Sequence, residues 1–230
     1  MQRVAEELKK PAPDLRIISC HLGNGASVCA IEKGQSVDTS MGMTPLEGLV
    51  MGTRSGDVDP GIFTYLKHTL GLTAEQIESA LYKESGLAGL SGFGNDLRDI
   101  EKQAAAGNKK AQLAIKIYAY RVKKYIGAYA VAMGGVDALS FTGGIGENSI
   151  SMRSHICTGL EFLGLHFDEA RNAQVKLKAF EAPHLHTQHS QVKVLVTKTR
   201  EQWMIAKDTQ RLLGHITQSA LSTRKKAASY

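Results

Sequence analysis

Two glycine-rich bends, each directly after a short apolar run, constrain the fold of this chain most strongly. The first is His21–Gly25 (HLGNG), which follows Leu15–Cys20, and the second is Gly143–Asn148 (GGIGEN), which follows Ala138–Thr142. Glycine lets backbone N–H groups approach an anion closely, and a following helix adds its positive N-terminal end. Each bend is therefore a candidate phosphate cradle, although a hairpin turn or a packing glycine explains either bend equally well. Neither contains the Gly-Lys-Ser/Thr of a P-loop or the full G-x-G-x-x-G pattern.

Strand-like and helical segments follow one another in an order typical of a mixed α/β fold. Three early strands are predicted, at Leu15–Cys20, Ser27–Glu32 and Gln35–Thr39, and their tight turns indicate an antiparallel meander. Two later strands are predicted at Ala138–Thr142 and Val192–Val196. Helices are predicted at residues 1–10, from the capping box Thr44–Glu47, from Asp59 to about Leu70, after a cap at Thr73–Gln76, from Lys109 to Met133, from Asn148 to Leu163 and from Thr199 to Leu213. The stripe Tyr118, Val122, Tyr125, Tyr129 and Met133 on the long helix is interpreted as core packing.

Composition narrows the class of protein. Hydrophobic residues make up 43% and charged residues 22% of the 230, which are globular values, and no apolar run reaches the roughly 18 residues of a membrane span. Cys20, Cys29 and Cys157 are widely spaced among apolar neighbours, so we expect buried free thiols in a reducing cytoplasm. The net charge of +6 permits an anionic partner. On charge alone, phosphate-bearing small molecules, nucleic acid and no partner at all remain open.

Three further segments contain candidate functional side chains. Arg54 lies between two glycines in Met51–Pro60 and suits bidentate contact with a phosphoryl or carboxylate group; the alternative is a local ion pair with Asp57 or Asp59. Asp96-Leu97-Arg98 is typical of a helix N-cap followed by a solvated arginine. Glu201, in the first turn of the last predicted helix, is ordinarily a capping or dipole residue.

Five collinear segments resemble the acetate/propionate kinase family. They are HLGNGASV at His21–Val28, DTSMGMTPLEGLVMGTRSGDVDP at Asp38–Pro60, KESGL at Lys83–Leu87, KYIGAY at Lys124–Tyr129 and FTGGIGENS at Phe141–Ser149. The resemblance implies a ribonuclease H-like fold of the actin, sugar kinase and heat-shock ATPase superfamily, with a mixed sheet of about five strands flanked by helices. It also implies acetate kinase activity, the reversible transfer of the ATP γ-phosphoryl group to acetate to give acetyl phosphate and ADP, with Mg²⁺.

The resemblance assigns a role to each matching residue. It implies an ATP-binding role for three segments: His21, Leu22, Gly23, Asn24 and Gly25; Asp96, Leu97 and Arg98; and Gly144, Ile145, Gly146, Glu147 and Asn148. Arg54 matches the arginine that stabilises the transition state, where a cation offsets charge on the transferring phosphoryl group. Glu201 matches a magnesium-associated glutamate, although the family's Thr-Asn-Glu-Glu reads Thr199-Arg200-Glu201-Gln202 here.

The resemblance covers the C-terminal half of the family. It makes 1–14 the remnant of a helix, 15–198 the nucleotide-binding kinase domain, 199–213 a terminal helix that would pack on the N-terminal domain, and 214–230 a tail without a match. The family's catalytic aspartate, carboxylate-binding arginine and first phosphate loop belong to the other half. Because phosphoryl transfer depends on positioning and charge stabilisation, we expect the isolated chain to bind nucleotide weakly and to be nearly inert.

Two alternatives remain open beside acetate kinase. One is a propionate or other short-chain acyl kinase, and the other is a non-catalytic nucleotide-binding module. A nucleic-acid enzyme is disfavoured, since no acidic cluster at strand ends and no basic-aromatic interleaving occurs. As partners the resemblance implies ATP or ADP, acetate or acetyl phosphate, a second copy of the chain in a homodimer, and an N-terminal half in cis or in trans, with neither nucleic acid nor a membrane.

Overall fold

A five-stranded mixed sheet forms the centre of the protein. The computed structural model describes residues 1–178 and 180–213. Its strands are β1 (Ile17–Leu22), β2 (Ala26–Glu32), β3 (Gln35–Thr39), β4 (Ala138–Thr142) and β5 (Lys193–Val196), in the order β3-β2-β1-β4-β5. β1 pairs antiparallel with β2, and β2 with β3, whereas β1, β4 and β5 run parallel. This order and these directions confirm the ribonuclease H-like fold and the antiparallel meander expected from the sequence.

The helices lie on both faces of the sheet. They are α1 (Gln2–Leu8), α2 (Gly61–Leu70), α3 (Ala74–Lys83), α4 (Gly86–Ser91), α5 (Leu97–Ala105), α6 (Lys109–Ala132), α7 (Gly143–Asn148), α8 (Ile150–Cys157) and α9 (Glu169–Gln174), with single 3₁₀ turns at Ala12–Asp14 and Glu161–Leu163. Successive side chains along each strand point to opposite faces of the sheet, so two separate hydrophobic cores form, one on each face. Ile18 and Leu139 face the large core, whereas Ile17 and Ala138 face a small one that includes Val4 of α1.

The long helix α6 supports the site through the large core. It contacts β1, β2, α4, α5 and α8. Tyr118 and Val122 are fully buried, and Tyr129 and Met133 nearly so, which confirms four positions of the predicted core stripe. The fifth, Tyr125, is only partly buried and packs against the edge of this core. The helix ends where Gly134 takes a φ of 66° and Gly135 a φ of 137°, because left-handed backbone cannot continue an α-helix.

The helix predicted from the capping box Thr44–Glu47 does not form. Thr44 Oγ1 accepts only from the Leu46 amide, at 3.3 Å, in a turn. Gly48 has a φ of 104°, and a Cβ there would lie 2.1 Å from the Ser40 carbonyl oxygen, so the chain bends at the point where a first helical turn would continue. Glu47 packs against Gly42 instead of returning to the backbone of Thr44. Local capping chemistry is therefore overridden by the packing of the loop.

The single helix predicted at Asn148–Leu163 is wrong in its bounds. The glycine-rich segment is itself the short helix α7, and Ser149 then breaks the helix with a ψ of 103°. Ser149 caps α8 by accepting from the Met152 amide at 2.9 Å. α8 ends at Cys157, and Gly159 follows with a φ of 84°. An extended serine and a left-handed glycine thus divide the segment.

The predicted buried thiols are confirmed in part, and the predicted cap at Thr73 is confirmed in full. Cys20 and Cys157 are buried free thiols, but Cys29 is only half-buried and its Sγ lies 3.1 Å from Ser36 Oγ. The predicted cap at Thr73–Gln76 forms as a full capping box at α3. No helix in the described part of the chain is long and apolar enough to cross a membrane.

The chain divides into two compact units, Met1–Lys198 and Thr199–Tyr230. In the second unit residues 201–213 are helical, as predicted from Thr199–Gln202. Lys207 Nζ lies 5.1 Å from the centre of the Trp203 ring, and Arg211 pairs with Asp208 at 3.3 Å. The tail proposed at 214–230 lies outside the described residues.

Candidate nucleotide site

The two glycine-rich bends meet at one edge of the sheet. β1 and β4 are parallel neighbours with His21 opposite Thr142, so both bends leave the sheet at the carboxyl ends of its two central strands. A Cβ on Gly23 would lie 3.9 Å from the Gly144 amide nitrogen. Ligands of open α/β sheets bind at such carboxyl ends, where loops from neighbouring strands diverge. The two glycine-rich bends therefore border a single candidate site.

A cavity of about 770 Å³ opens between these bends and α5. Three predicted segments line it together, and the lining residues are Gly23, Asn24, Asn95, Asp96, Leu97, Arg98, Glu101, Gly144, Ile145, Asn148 and Ser149. Of the predicted ATP-binding residues, His21, Leu22, Gly25, Gly146 and Glu147 do not line the cavity. The volume lies within the range of small-molecule sites.

The first bend, residues 23–25, joins β1 to β2 without any left-handed residue. Its glycines are thus not demanded by the turn. A Cβ on Gly25 would lie 3.5 Å from the Arg54 guanidinium, and one on Gly23 would lie 3.2 Å from the Gly25 carbonyl oxygen. Small residues here keep the backbone open toward the cavity and toward Arg54. Leu22 is fully buried and contributes its backbone alone.

The second bend combines a packing glycine with an open one. Gly143 has a φ of 78°, and a Cβ there would lie 2.6 Å from the Leu22 carbonyl oxygen, so only glycine fits against β1. Gly144 has no other atom within 4 Å of its Cβ position and borders the cavity. Gly146 packs against Phe141. Glu147 accepts from the Gly143 amide at 3.2 Å, within α7.

A buried arginine fixes the far end of α7. Arg153 is 1% exposed, and its guanidinium donates to the carbonyls of Gly146 and Glu147 at 2.9 and 3.0 Å. Its Nε donates to Asn172 Oδ1 at 2.7 Å. Burial lowers the pKa of Arg153 from its ordinary value. The cation thus donates to carbonyls in the last turn of α7, at the negative end of the helix dipole.

Asp96 and Arg98 lie together at the start of α5. Asp96 caps the helix by accepting from the Arg98 amide at 2.9 Å, and its carboxylate pairs with the Arg98 guanidinium at 2.5 Å. The hydrogen bonds from Arg98 lower the pKa of Asp96 to about 2. The N-cap interpretation of this segment is confirmed, and the same two residues border the cavity. The Arg98 side chain is 89% exposed.

The Arg54 loop packs beside the first bend. Gly52 donates to the Asn24 carbonyl at 2.8 Å, and the Leu87 and Ala88 amides of α4 donate to Met51 and Gly52. The Arg54 guanidinium donates to the Pro45 carbonyl at 3.2 Å. Across residues 1–178 and 180–213 no carboxylate pairs with it, so the alternative of a local ion pair is wrong.

The two carboxylates proposed for that ion pair have other partners. Asp57 Oδ2 accepts from Arg121 and, at 2.8 Å, from the Tyr125 hydroxyl, both on α6. Its Oδ1 accepts from the Gly48 amide at 2.7 Å. Asp59 Oδ1 accepts from the Gly61 amide at 2.8 Å, just before α2. Asp57 thus fastens the Arg54 loop to the core helix, and within the described residues neither carboxylate pairs with Arg54.

Three cavity residues, Asn95, Glu101 and Ser149, were not predicted from the sequence. Asn95 donates to Asn24 Oδ1 at 2.7 Å and so joins the first bend to the start of α5. Ser149 donates to Glu101 Oε1 at 2.6 Å across the opposite end of the cavity. Asn95 immediately precedes the predicted cap at Asp96, and Glu101 lies about one helical turn beyond it. Their position beside the predicted Asp96–Arg98 segment was the one signal in the sequence that pointed to them.

Glu201 belongs to the second unit, where it is exposed at the start of the helix. Among the described residues no three His, Cys, Asp or Glu side chains cluster to hold a metal ion. A lone carboxylate suits Mg²⁺ only where phosphate oxygens and water complete the octahedron. The chain therefore offers at most a partial set of magnesium ligands within these residues.

The fold and cavity together define an α/β domain of the ribonuclease H-like class with a ligand site at the carboxyl ends of its central strands. Residues 1–207 match the profile of the Acetokinase family. The chain belongs to that family. It is 55% identical over 212 residues to the acetate kinase of Thermoanaerobacter pseudethanolicus, which covers 92% of this chain and 52% of that protein.

Two solved structures have the same architecture. Porphyromonas gingivalis acetate kinase superposes with a TM-score of 0.88 at 48% sequence identity, and the match covers 92% of this chain and 52% of the Porphyromonas chain. A propionate kinase from Francisella tularensis superposes with a TM-score of 0.82 at 41% identity, over 89% of this chain and 51% of its own. The chain thus spans about half the length of the curated relatives it matches.

Proposed function

We propose that this chain is the nucleotide-binding half of an acetate kinase. The complete reaction transfers the γ-phosphoryl group of ATP to a carboxylate oxygen of acetate, giving acetyl phosphate and ADP, and runs in both directions. The observation that carries the proposal is the convergence of three segments, far apart in sequence, on one cavity beside Arg54. Kinship with acetate kinases supports the choice of reaction.

The proposed roles follow from position around the cavity. Backbone amides of Gly23–Gly25 and Gly144 face the phosphates, because glycine lets an anion come within hydrogen-bond range of the backbone. His21 lies at the end of β1 and donates to the phosphates from beside them. Asp96 and Arg98 hold the ribose side. Ile145 and Asn148 contact the adenosine.

Arg54 stabilises the transferring phosphoryl group. Its guanidinium lies against the first bend and carries no carboxylate partner within the described residues, so its charge is available to the three equatorial phosphoryl oxygens. A cation in this role is worth roughly 10³–10⁵ in rate. Kinship proposes Glu201 as the residue of this chain that would hold Mg²⁺, and the ion, when bound, would supply positive charge to offset that of the nucleotide phosphates.

The acceptor and the remaining catalytic groups are proposed to come from the other half of the family's length. These 230 residues alone then bind nucleotide weakly and transfer little phosphoryl, since a half-cleft loses most of the positioning on which the reaction depends. The choice between acetate and propionate depends on that other half. Self-association as a homodimer and a cytoplasmic location complete the proposal by kinship.

Nucleotide binding is tested by titrating the chain with Mg²⁺–ATP and following backbone amide resonances. We expect shifts at Gly23, Asp96 and Gly144. Gly144→Leu fills the cavity from an open Cβ position and abolishes them, whereas Gly127→Leu, at an equally open glycine on α6, leaves them unchanged. Shifts confined to other regions would contradict the assignment.

Phosphoryl transfer is tested by assaying acetyl phosphate formation with the chain alone and with the N-terminal half of the Thermoanaerobacter pseudethanolicus acetate kinase added. We expect activity only in the mixture, and its loss with Arg54→Ala. Binding of ATP without transfer in the mixture would favour a non-catalytic nucleotide-binding module. Transfer to propionate in preference to acetate would favour the acyl kinase alternative.

A further inference from the structure

Glu101 and Ser149 form a polar pair at one end of the cavity that no resemblance assigned. Ser149 donates from Oγ to Glu101 Oε1 at 2.6 Å. The same Ser149 oxygen accepts from the Met152 amide at 2.9 Å, so the hydroxyl is occupied as donor and as acceptor. Both residues border the cavity, with Ser149 nine-tenths buried and Glu101 half-buried.

The second carboxylate oxygen of Glu101 is uncommitted. Within residues 1–178 and 180–213 no side chain or amide donates to Oε2. Because the serine proton already points at Oε1, the pair offers the cavity a hydrogen-bond acceptor and no donor. A carboxylate acceptor makes stronger hydrogen bonds than a neutral one, so it discriminates among ligands by whether they carry a matching N–H.

The pair lies at the end of the cavity opposite the phosphate cradles. α5 enters the cavity at Leu97 and reaches Glu101 four residues later, about 6 Å further along at 1.5 Å per residue. In α7, Gly144 lies beside Gly23 near the start of the helix, and Ser149 follows its last residue, Asn148. Gly23 and Asn24 line the end of the cavity proposed for the phosphates, and their bend continues to Gly25 beside Arg54. A nucleotide laid along this axis brings its base to Glu101.

The space between is suited to a flat apolar ring. Leu97 and Ile145 line the cavity from α5 and α7, and both are largely buried by the core beneath. Apolar walls that hold a ring face, with a single polar group at its edge, are the usual construction of a small-molecule site. An acceptor at the edge matches the exocyclic amine of adenine and repels the carbonyl of an oxo-purine.

Resting on the proposed nucleotide function, we propose that Glu101, oriented by Ser149, is a specificity residue that accepts a hydrogen bond from the 6-amino group of the purine. Ser149 is a positioning residue in this arrangement. Its hydroxyl holds one carboxylate oxygen and so fixes the direction of the other.

The test compares ATP with purine riboside triphosphate, which lacks only the 6-amino group, by calorimetric titration of the 230-residue chain. We expect the unaltered chain to bind ATP roughly tenfold more tightly, the effect of one hydrogen bond to a charged acceptor. Glu101→Met, which keeps the length and removes the acceptor, brings the ratio to about one. Asp99→Asn removes the same charge from the exposed face of α5 and keeps the tenfold ratio.

The outcomes separate this proposal from the one on which it rests. Equal binding of the two nucleotides by the unaltered chain, or a tenfold ratio that persists in Glu101→Met, would overturn base recognition and leave nucleotide binding intact. A Glu101→Met variant that loses discrimination between ATP and 2′-deoxy-ATP would assign Glu101 to the ribose and overturn it too. Failure of the folded chain to bind either nucleotide would overturn both proposals. Thermal melts of each variant show that the fold is retained.

Discussion

The buried Arg153 provides a prediction in which two large effects oppose each other. Its guanidinium is removed from water with no carboxylate beside it in the described part of the chain, and the lowered pKa reflects that desolvation. Against this loss stand three hydrogen bonds, to the carbonyls of Gly146 and Glu147 and to Asn172 Oδ1. Arg153→Met keeps most of the volume and removes the charge together with all three of these hydrogen bonds.

The hydrogen bonds are expected to outweigh the desolvation. A hydrogen bond to a charged group contributes about 1.5–3 kcal/mol, so the three together contribute at least about 4.5 kcal/mol. Relief of the desolvated charge offsets part of this, and a net loss of about 3 kcal/mol in the free energy of unfolding follows. With a urea dependence of about 2–3 kcal/mol per molar, the unfolding midpoint falls by about 1–1.5 M.

Urea denaturation followed by circular dichroism measures this loss. The matched control is Arg98→Met, whose side chain is 89% exposed and, within the described residues, forms an ion pair with Asp96 alone. An exposed pair of this kind contributes little to stability, so the control midpoint stays near that of the unaltered chain. Amide hydrogen exchange in α7 accelerates in Arg153→Met and not in the control. An unchanged or raised midpoint for Arg153→Met would refute the reasoning, because it would show that burial of the charge costs more than its hydrogen bonds return.

Three further predictions concern single residues. Gly143→Ala forces a side chain onto left-handed backbone against β1 and lowers the free energy of unfolding by about 1–3 kcal/mol. Gly144→Ala, with open space at the Cβ position, keeps the thermal midpoint and weakens nucleotide binding. Equal thermal midpoints for the two variants would contradict this prediction. In a carboxyl NMR titration the pKa of Asp96 is about 2, and Arg98→Met raises it toward the ordinary aspartate value; an unmoved midpoint would contradict the assigned cause. Burial lowers the pKa of His186, so unfolding takes up a proton and the free energy of unfolding falls as the pH drops from 7 to 5; His186→Gln reduces that slope, and an identical slope would exclude His186 as its source.

The strands were predictable because their signals are local. β3 and β4 have the predicted bounds, and β1, β2 and β5 differ by only one or two residues at one or both ends. Period-two burial and glycine turns act over a few residues, which is the range that a single sequence displays. The long helix α6 was predictable for the same reason, since its apolar stripe from Tyr118 to Met133 repeats over about four turns.

The two helix predictions that were wrong share a different cause. Thr44–Glu47 has the sequence pattern of a helix start, yet the chain bends at Gly48 so that Leu49 and Met51 reach the core. The break at Ser149 depends on Arg153 holding the end of α7. Both are tertiary effects, and propensity is a weak prior against them.

The candidate site was predictable in its parts but not in its assembly. Glycines, Arg54 and Asp96–Arg98 were recognisable as residue types suited to anions, and kinship supplied their roles. Arg54 has no carboxylate partner within the described residues, because Arg121 and Tyr125 occupy Asp57. Sequence spacing could not predict this, since these two residues of α6 lie more than sixty positions from Asp57. Glu101 and Ser149 meet across 48 positions and leave no local pattern.

The pairing of β1 with β4 has a consequence for the order in which function appears. The two strands are joined at Arg16 and Asp137, 121 positions apart, and each of the two glycine-rich bends that border the cavity follows one of them. Such a distant pairing is among the last that a chain completes, because loop closure must precede it. A molecule in which the hairpins and helices have formed but β1 and β4 have not paired lacks the cavity and cannot bind a ligand there. Ligand binding in the cavity therefore indicates that the sheet is complete, and a ligand that binds only the paired state stabilises the whole sheet.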